Sequence, residues 1–279
     1  MSNIRFLTLY SGSEGNATYI SVGSTEILID AGKSARTLCA ALRDIGTDIK
    51  NISAIFITHE HTDHVSALEV ISKHNEIPIH MMEQSATRFD CSAYCSVHRN
   101  LVRHEREFCE RVGELTVSCF RTPHDSRMSV GYRIEFEDGE SIRALGVATD
   151  IGYVTDEIFE GLRGCEAVVL ESNHDPDMLR DCRYPSDLKR RIASNRGHLS
   201  NPDSAALAGR LFEGGTRGFI LAHISKESNC PEIALDEYIC SLGTDGVEIR
   251  AASAELATEL KCFSAEADEI DKYKVYNSR

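Results

Sequence analysis

Thr58-His59-Glu60-His61-Thr62-Asp63-His64 follows directly on the apolar run Ile52-Ser53-Ala54-Ile55-Phe56-Ile57, and this junction decides the reading of the whole chain. A short run rich in β-branched and aromatic residues predicts a buried strand. The histidine-rich segment is then the loop at that strand's C-terminal end. Three imidazoles and a carboxylate in six residues form a ligand set suited to zinc, manganese or iron. So short a loop cannot wrap all four groups around one ion. His59 and His61 are therefore expected to reach one metal, and Asp63 and His64 a second beside it. A metal-free surface loop would leave the H-x-H-x-D-H spacing, and its place after a strand, unexplained.

Working outward, the same context recurs at distant positions. Residues 115–120 predict a strand running into Arg121-Thr122-Pro123-His124-Asp125, and 141–148 one running into Thr149-Asp150-Ile151-Gly152-Tyr153. Residues 167–170 lead into Glu171-Ser172-Asn173-His174-Asp175, and 218–222 into His223. His59, His124, Asp150 and His223 thus all stand where an apolar strand leaves its sheet. Groups on one sheet edge converge even when far apart in sequence. Upstream, strands are expected at 4–10, 18–22 and 26–30, with a turn at Ser11-Gly12-Ser13-Glu14-Gly15-Asn16 and a helix over 34–42. A helix is expected over 65–74 after the ligand loop. His80, His98 and His104 read as scaffold or surface residues. Cys91, Cys95 and His98 are spaced loosely enough to suggest only a small extra metal site.

The motif resembles that of the metallo-β-lactamase-fold hydrolases. The resemblance implies an α/β fold, a single-domain four-layer αββα sandwich with two metals at one edge of the paired sheets. Residues 1–263 would form that domain and 264–279 a polar C-terminal tail. On this reading one metal takes His59, His61 and His124, the other takes Asp63, His64 and His223, and Asp150 bridges them. Zinc leads by ligand type and manganese remains open because carboxylates contribute. The pair would share a hydroxide as nucleophile, with Asp63 also orienting it. Asp30, at the end of the Leu-Ile-Asp-Ala-Gly segment, is expected to be structural.

The bulk properties fit an ordinary globular protein: 279 residues, 42% hydrophobic and 27% charged. Met1-Ser2-Asn3-Ile4-Arg5 leads straight into a strand, so no signal peptide is expected, and no apolar run suits a membrane span. Ten cysteines without a tight framework suggest a reducing cytoplasm. A net charge of −14 excludes a uniformly nucleic-acid-coating surface, so any such contact needs a local patch. Residues 180–196 offer one. Arg180, Arg183, Lys189, Arg190, Arg191 and Arg196 face only Asp181 and Asp187 there. A solvated helix would explain the run, but its place before Gly197-His198-Leu199-Ser200-Asn201 favours phosphate docking. Asn201 is expected to cap the helix opened by Pro202.

Thr149-Asp150-Ile151-Gly152-Tyr153, Glu171-Ser172-Asn173-His174-Asp175, Arg183-Tyr184-Pro185, Lys189-Arg190-Arg191 and the His198 stretch follow in order. With His223-Ile224-Ser225-Lys226-Glu227-Ser228-Asn229, they resemble the bacterial YycJ/WalJ family over nearly the whole chain. The resemblance implies a metal-dependent 5′-to-3′ exonuclease on double-stranded DNA, linked to DNA repair. It implies that His198 is the general acid, oriented by Glu171, and that catalysis rests on Asp63, His198 and Glu171. Asn173, Arg183, Lys189, Arg190, Arg191 and Ser200 are the substrate-facing candidates. DNA is the expected partner, with no membrane. A small or cyclic phosphodiester substrate, which the acidic charge suits, and a DNA-end binder that does not cut are the alternatives.

Overall fold

The computed structural model describes residues 4–91 and 94–261; the tail expected over 264–279 lies outside them. Two sheets of seven strands each face one another. The first holds β1 (Ile4–Tyr10), β2 (Ala17–Val22), β3 (Thr25–Ile29), β4 (Ile52–Phe56), β5 (Ile79–Met82) and β6 (Leu101–His104) in that spatial order. The second holds β7 (Cys109–Val112), β8 (Leu115–Thr122), β9 (Ser129–Asp138), β10 (Ser141–Ala148), β11 (Ala167–Glu171), β12 (Gly218–Ala222) and β13 (Glu248–Ala251). The short β14 (Thr258–Glu259) returns to pair with β1.

Strand alternation builds the layers. In β3, Ile27 and Ile29 point between the sheets while Leu28 points to the opposite face. The space between the sheets is filled by Phe6, Ile20, Phe56, Val117, Tyr132, Ile134, Val147, Val169 and Ile220. Outside the first sheet lie α1 (Ala35–Asp44), α2 (Thr62–Val65), α3 (Leu68–His74), α4 (Glu83–Ala86) and α5 (Cys95–Asn100). Leu38, Leu42, Leu68 and Ile71 cover that face. The second sheet carries α6 (Asp156–Leu162), α7 (Pro176–Asp181), α8 (Ser186–Ile192), α9 (Asn201–Glu213) and α10 (Pro231–Leu242). Ile158, Leu207, Leu211, Leu235 and Tyr238 fill its outer core. The order is helices, sheet, sheet, helices, as expected from the opening motif. Among the described residues, no helix is long and apolar enough to cross a membrane.

Parallel pairing sets the functional rim. β3 pairs with β4 up to Ile29 opposite Phe56, and β10, β11 and β12 are mutually parallel, with Glu171 opposite Ala222. The segments leaving these strands therefore emerge on one side. Two local expectations need correction. The helix expected over 65–74 is broken into α2 and α3. The N-terminal loop takes its carbonyls: Asn16 N–H bonds Asp63 O (2.8 Å), Ala31 N–H bonds His64 O (2.8 Å), and Ala67 N–H turns to Ala31 O (2.9 Å). The cap of α9 is Ser200 rather than Asn201, because the Ser200 hydroxyl accepts from Asp203 N–H (3.3 Å). Asn201 instead turns inward to Ser172 and Asn229.

Candidate metal centre

The sequence-selected ligands do meet. One ligand atom from each of His59, His61 and His124 lies within 4.8 Å of the others, and the same holds for Asp63, His64 and His223. Asp150 stands between the groups: its carboxylate is 3.3 Å from His64 Nε2, 3.7 Å from His124 Nε2 and 3.8 Å from His223 Nδ1. Asp30, Asp150 and His223 all hold positive φ (65°, 58° and 58°). Left-handed backbone is tolerated best by such short polar residues, and strain of this kind concentrates at functional sites. It swings each side chain off its strand end into the common space.

The other nitrogen of most of these rings is held from behind, as ligating imidazoles require. His64 Nδ1 donates to Asp30 Oδ2 (2.8 Å), and Asp30 also accepts from Thr58 N–H (2.8 Å) and the Thr58 hydroxyl. Asp30 is thus structural in the sense expected, and it aims His64. His124 Nδ1 lies 3.0 Å from Gly197 O. His223 Nδ1 lies 3.0 Å from Glu171 Oε1, and His198 Nδ1 lies 2.8 Å from the same oxygen. Glu171 Oε2 accepts from Ile151 N–H (2.7 Å) and Leu199 N–H (3.1 Å). This one fully buried carboxylate therefore positions a candidate ligand, the candidate acid and the loop carrying Asp150. Its role toward His223 had no sequence signal.

Two glycines permit the close approaches. A Cβ on Gly32 would sit 1.9 Å from Asp63 O, and one on Gly197 would sit 2.1 Å from Ile192 O. Beneath the site Asn16, from the first glycine-rich turn, reaches 3.3 Å to both Asp63 Oδ2 and His64 Nε2.

The chemistry of this donor set fits divalent cations. His59 Nε2, His223 Nε2 and Asp150 Oδ2 are buried without a hydrogen bond, a costly arrangement for polar atoms unless something binds them. Burial opposes charge at Asp150, yet His223, His64, His59 and His124 outweigh it and hold that carboxyl well below its usual range. Burial likewise opposes a proton on His64, but Asp30, Asp150 and Asp63 push its pKa well above normal. His223 is raised in the same way by Asp150, Asp63 and Glu171. Without metal, protons on His64 and His223 neutralise the carboxylates, so binding cations here displaces protons. Burial, reinforced by His64, His124 and His61, drives His59 the other way, to a pKa well below normal, a neutral ring ready to ligate.

The other candidates separate. Asn173 is buried and donates to His223 O (2.8 Å), which makes it part of the scaffold around that ring. Ser200 caps α9. Lys189 donates to Arg180 O, and Arg190 pairs with Asp187 on the exposed face of α8. Arg183 is exposed. Arg191 alone of the α8 basic residues reaches the centre, where its Nε bonds Asp125 Oδ2. Asp125 escaped the sequence reading although it adjoins His124. Its Oδ1 is buried, makes no hydrogen bond, and lies 3.2 Å from His124 Nε2. Cys91, Cys95 and His98 form no ligand group among the described residues.

Comparison with known proteins agrees with this geometry. A beta-lactamase superfamily domain profile matches residues 25–224. Exodeoxyribonuclease YycJ of Bacillus anthracis is 31% identical over 236 residues, covering 83% of this chain and 86% of the relative. Exodeoxyribonuclease WalJ of Streptococcus pneumoniae is 31% identical over 232 residues, covering 82% and 85%. The metallo-beta-lactamase fold protein YhfI of Bacillus subtilis superposes with a TM-score of 0.69 at 15% identity, covering 92% of this chain and 99% of that one.

Proposed function

The chain belongs to the beta-lactamase superfamily and, within it, to the family of the exodeoxyribonucleases YycJ and WalJ, and from that premise we propose that it is a two-metal exodeoxyribonuclease cutting duplex DNA from 5′ to 3′. It is a hydrolase of the metallo-β-lactamase fold. The observation that carries the reading is the Glu171–His198 contact of 2.8 Å placed beside the ligand cluster.

His59, His61 and His124 would hold one divalent ion, zinc or manganese, and Asp63, His64 and His223 the other, with Asp150 common to both. Such ions supply Lewis acidity and lower the pKa of water to about 7. The protein supplies the rest. Burial disfavours charge on Glu171, but His198 and His223 outweigh it and bring its pKa down to about 2. The ionised carboxylate accepts from His198 Nδ1–H and so fixes that tautomer. With Nδ1 committed to Glu171, Nε2 is the nitrogen available to protonate the departing oxygen. Asp63, with Asn16 and His64 at 3.3 Å and His223 at 3.5 Å, would orient the attacking water.

Metal-reconstituted protein should hydrolyse 5′-phosphorylated duplex DNA and release product from that end. His198→Ala should keep its bound metal and lose about 10²–10⁴-fold in turnover. Equal turnover of duplexes blocked at either end would reject the polarity. Turnover of a small diester alone would reject the nucleic-acid substrate, an outcome that the net charge of −14 keeps in play.

A further inference from the structure

Resting on the nucleic-acid reading above, we propose that Arg88, Arg127, Arg191 and Arg196 form one phosphate-binding collar on the His61–Asp125 flank of the metal centre, along which a nucleic-acid strand lies. The sequence pointed only to the 180–196 run. The fold brings in two arginines from elsewhere and leaves most of that run facing away.

Each of the four side chains is anchored to the ligand-bearing loops or to a neighbour of them. Arg88, just beyond α4, donates to Glu60 O (2.8 Å) and Thr62 Oγ1 (3.3 Å), within the ligand loop itself. Arg127 has its backbone N–H on Glu60 Oε1 (2.9 Å) and its guanidinium on the Thr87 hydroxyl. Arg191 bonds Asp125, and Arg196 Nε lies 3.4 Å from His124 O. Arg127, Arg191 and Arg196 are exposed and Arg88 is half-buried. Among the described residues Arg88, Arg127 and Arg196 pair with neutral oxygens and form no ion pair.

Positive charge left unneutralised is notable in a chain of net charge −14. Arg163, Arg180 and Arg190, away from the centre, are by contrast neutralised by Glu160, by Asp177 and Asp181, and by Asp187. On the opposite rim Lys226 is paired to Glu14. The guanidinium is the group best matched to phosphate oxygens. Four of them on one flank exceed what a single small diester could engage and suit a chain of phosphates. The strand is therefore held along the His61–Asp125 side of the centre, with His198 between His124 and His223.

The test measures binding of a 5′-phosphorylated duplex to metal-loaded protein in a His198→Gln background, across 50–200 mM salt. Relative to that background, Arg88→Ala/Arg127→Ala should weaken binding about tenfold near 0.1 M salt and reduce the slope of log K against log salt by about 2. Arg191→Ala should reduce the slope by about 1, and Arg163→Ala, away from the centre, should leave it alone. Metal content is measured on every variant. If the double variant loses metal, Arg127→Ala, whose guanidinium touches only the Thr87 side chain, replaces it with an expected slope change of about 1. An unchanged slope in a protein whose parent cuts duplex DNA overturns the collar and leaves the function standing. A parent that hydrolyses bis(p-nitrophenyl) phosphate but neither binds nor cuts duplex overturns both.

Discussion

The molecule holds two histidine clusters that look alike by distance and behave differently by geometry. At the rim, five imidazoles surround Asp63 and Asp150. At the sandwich edge, His80 of β5, His104 of β6 and Glu110 of β7 also bring one ligand atom each within 4.8 Å. In the edge cluster His80 Nδ1 faces His104 Nε2 at 3.1 Å, the rings are within 15° of coplanar, and their centroids lie 5.4 Å apart. At that distance the N–H of one ring donates to the lone pair of the other, an N–H···N hydrogen bond rather than a ligand pair. Phe56 stacks on His80 at 4.6 Å and Phe108 on His104 at 3.7 Å. Among the described residues no carboxylate orients either ring from behind at hydrogen-bond distance, and Glu110 stands 4.0 Å from His104. The rim cluster has the reverse pattern. Its rear nitrogens are fixed by Asp30, Glu171 and Gly197 O, while His59 Nε2 and His223 Nε2 make no hydrogen bond. Orphaned atoms with braced backs mark a metal site; mere crowding of histidines does not.

The largest effect should come from the group shared by both halves of the rim. Asp150→Asn keeps a residue that tolerates left-handed backbone but removes the charge. Hydrolysis should fall at least about 10³-fold, beyond the 10–100-fold usual for outer partners, with metal content by elemental analysis falling too. Glu110→Ala, the matching change at the edge, should leave metal content at the native level. A loss of metal in Glu110→Ala would erase the distinction drawn here.

A middle-sized effect tests whether rear bracing matters. Asp30→Asn should lower metal affinity about 10–100-fold in a chelator competition. If the affinity stays native, the Asp30 contact behind His64 does not tune the site, and rear bracing fails as the distinguishing mark.

The smallest effect belongs to the edge cluster and appears in stability. Burial, reinforced by His104, lowers the His80 pKa to about 4. The unfolded chain, with His80 near 6.5, binds that proton first, so the folded state loses stability as pH falls from about 6.5 toward 4. Between pH 7.5 and 5 the native protein should lose about 1–2 kcal/mol more than His80→Phe in denaturant titrations. Equal losses in the two proteins would show that His80 carries no acid sensitivity.

Much of the rim was legible in the chain because ligand chemistry is local in residue type and strands announce their own ends. The H-x-H-x-D-H loop and the His124, Asp150 and His223 exits followed from apolar runs broken by polar residues, and the layered sandwich from the family resemblance those motifs carry. His80 and His104 read as scaffold or surface residues in the sequence, and nothing local foretold that they would bond each other across β5 and β6. The break between α2 and α3 was hidden because backbone carbonyls of residues 63 and 64 are claimed by Asn16 and Ala31, far upstream.

What the amino-acid order determined by itself was therefore the set of donors and the sheet ends that carry them, since residue type and hydrophobic period are properties of short segments. Tertiary structure alone decided which atoms those donors leave unbonded. It made Glu171 serve both His198 and His223, turned Asn173 and Ser200 into scaffold, and gathered Arg88 and Arg127 beside Arg191. Hydrogen-bond partners and unpaired charges depend on which distant loops share a rim. No window along the chain contains that information.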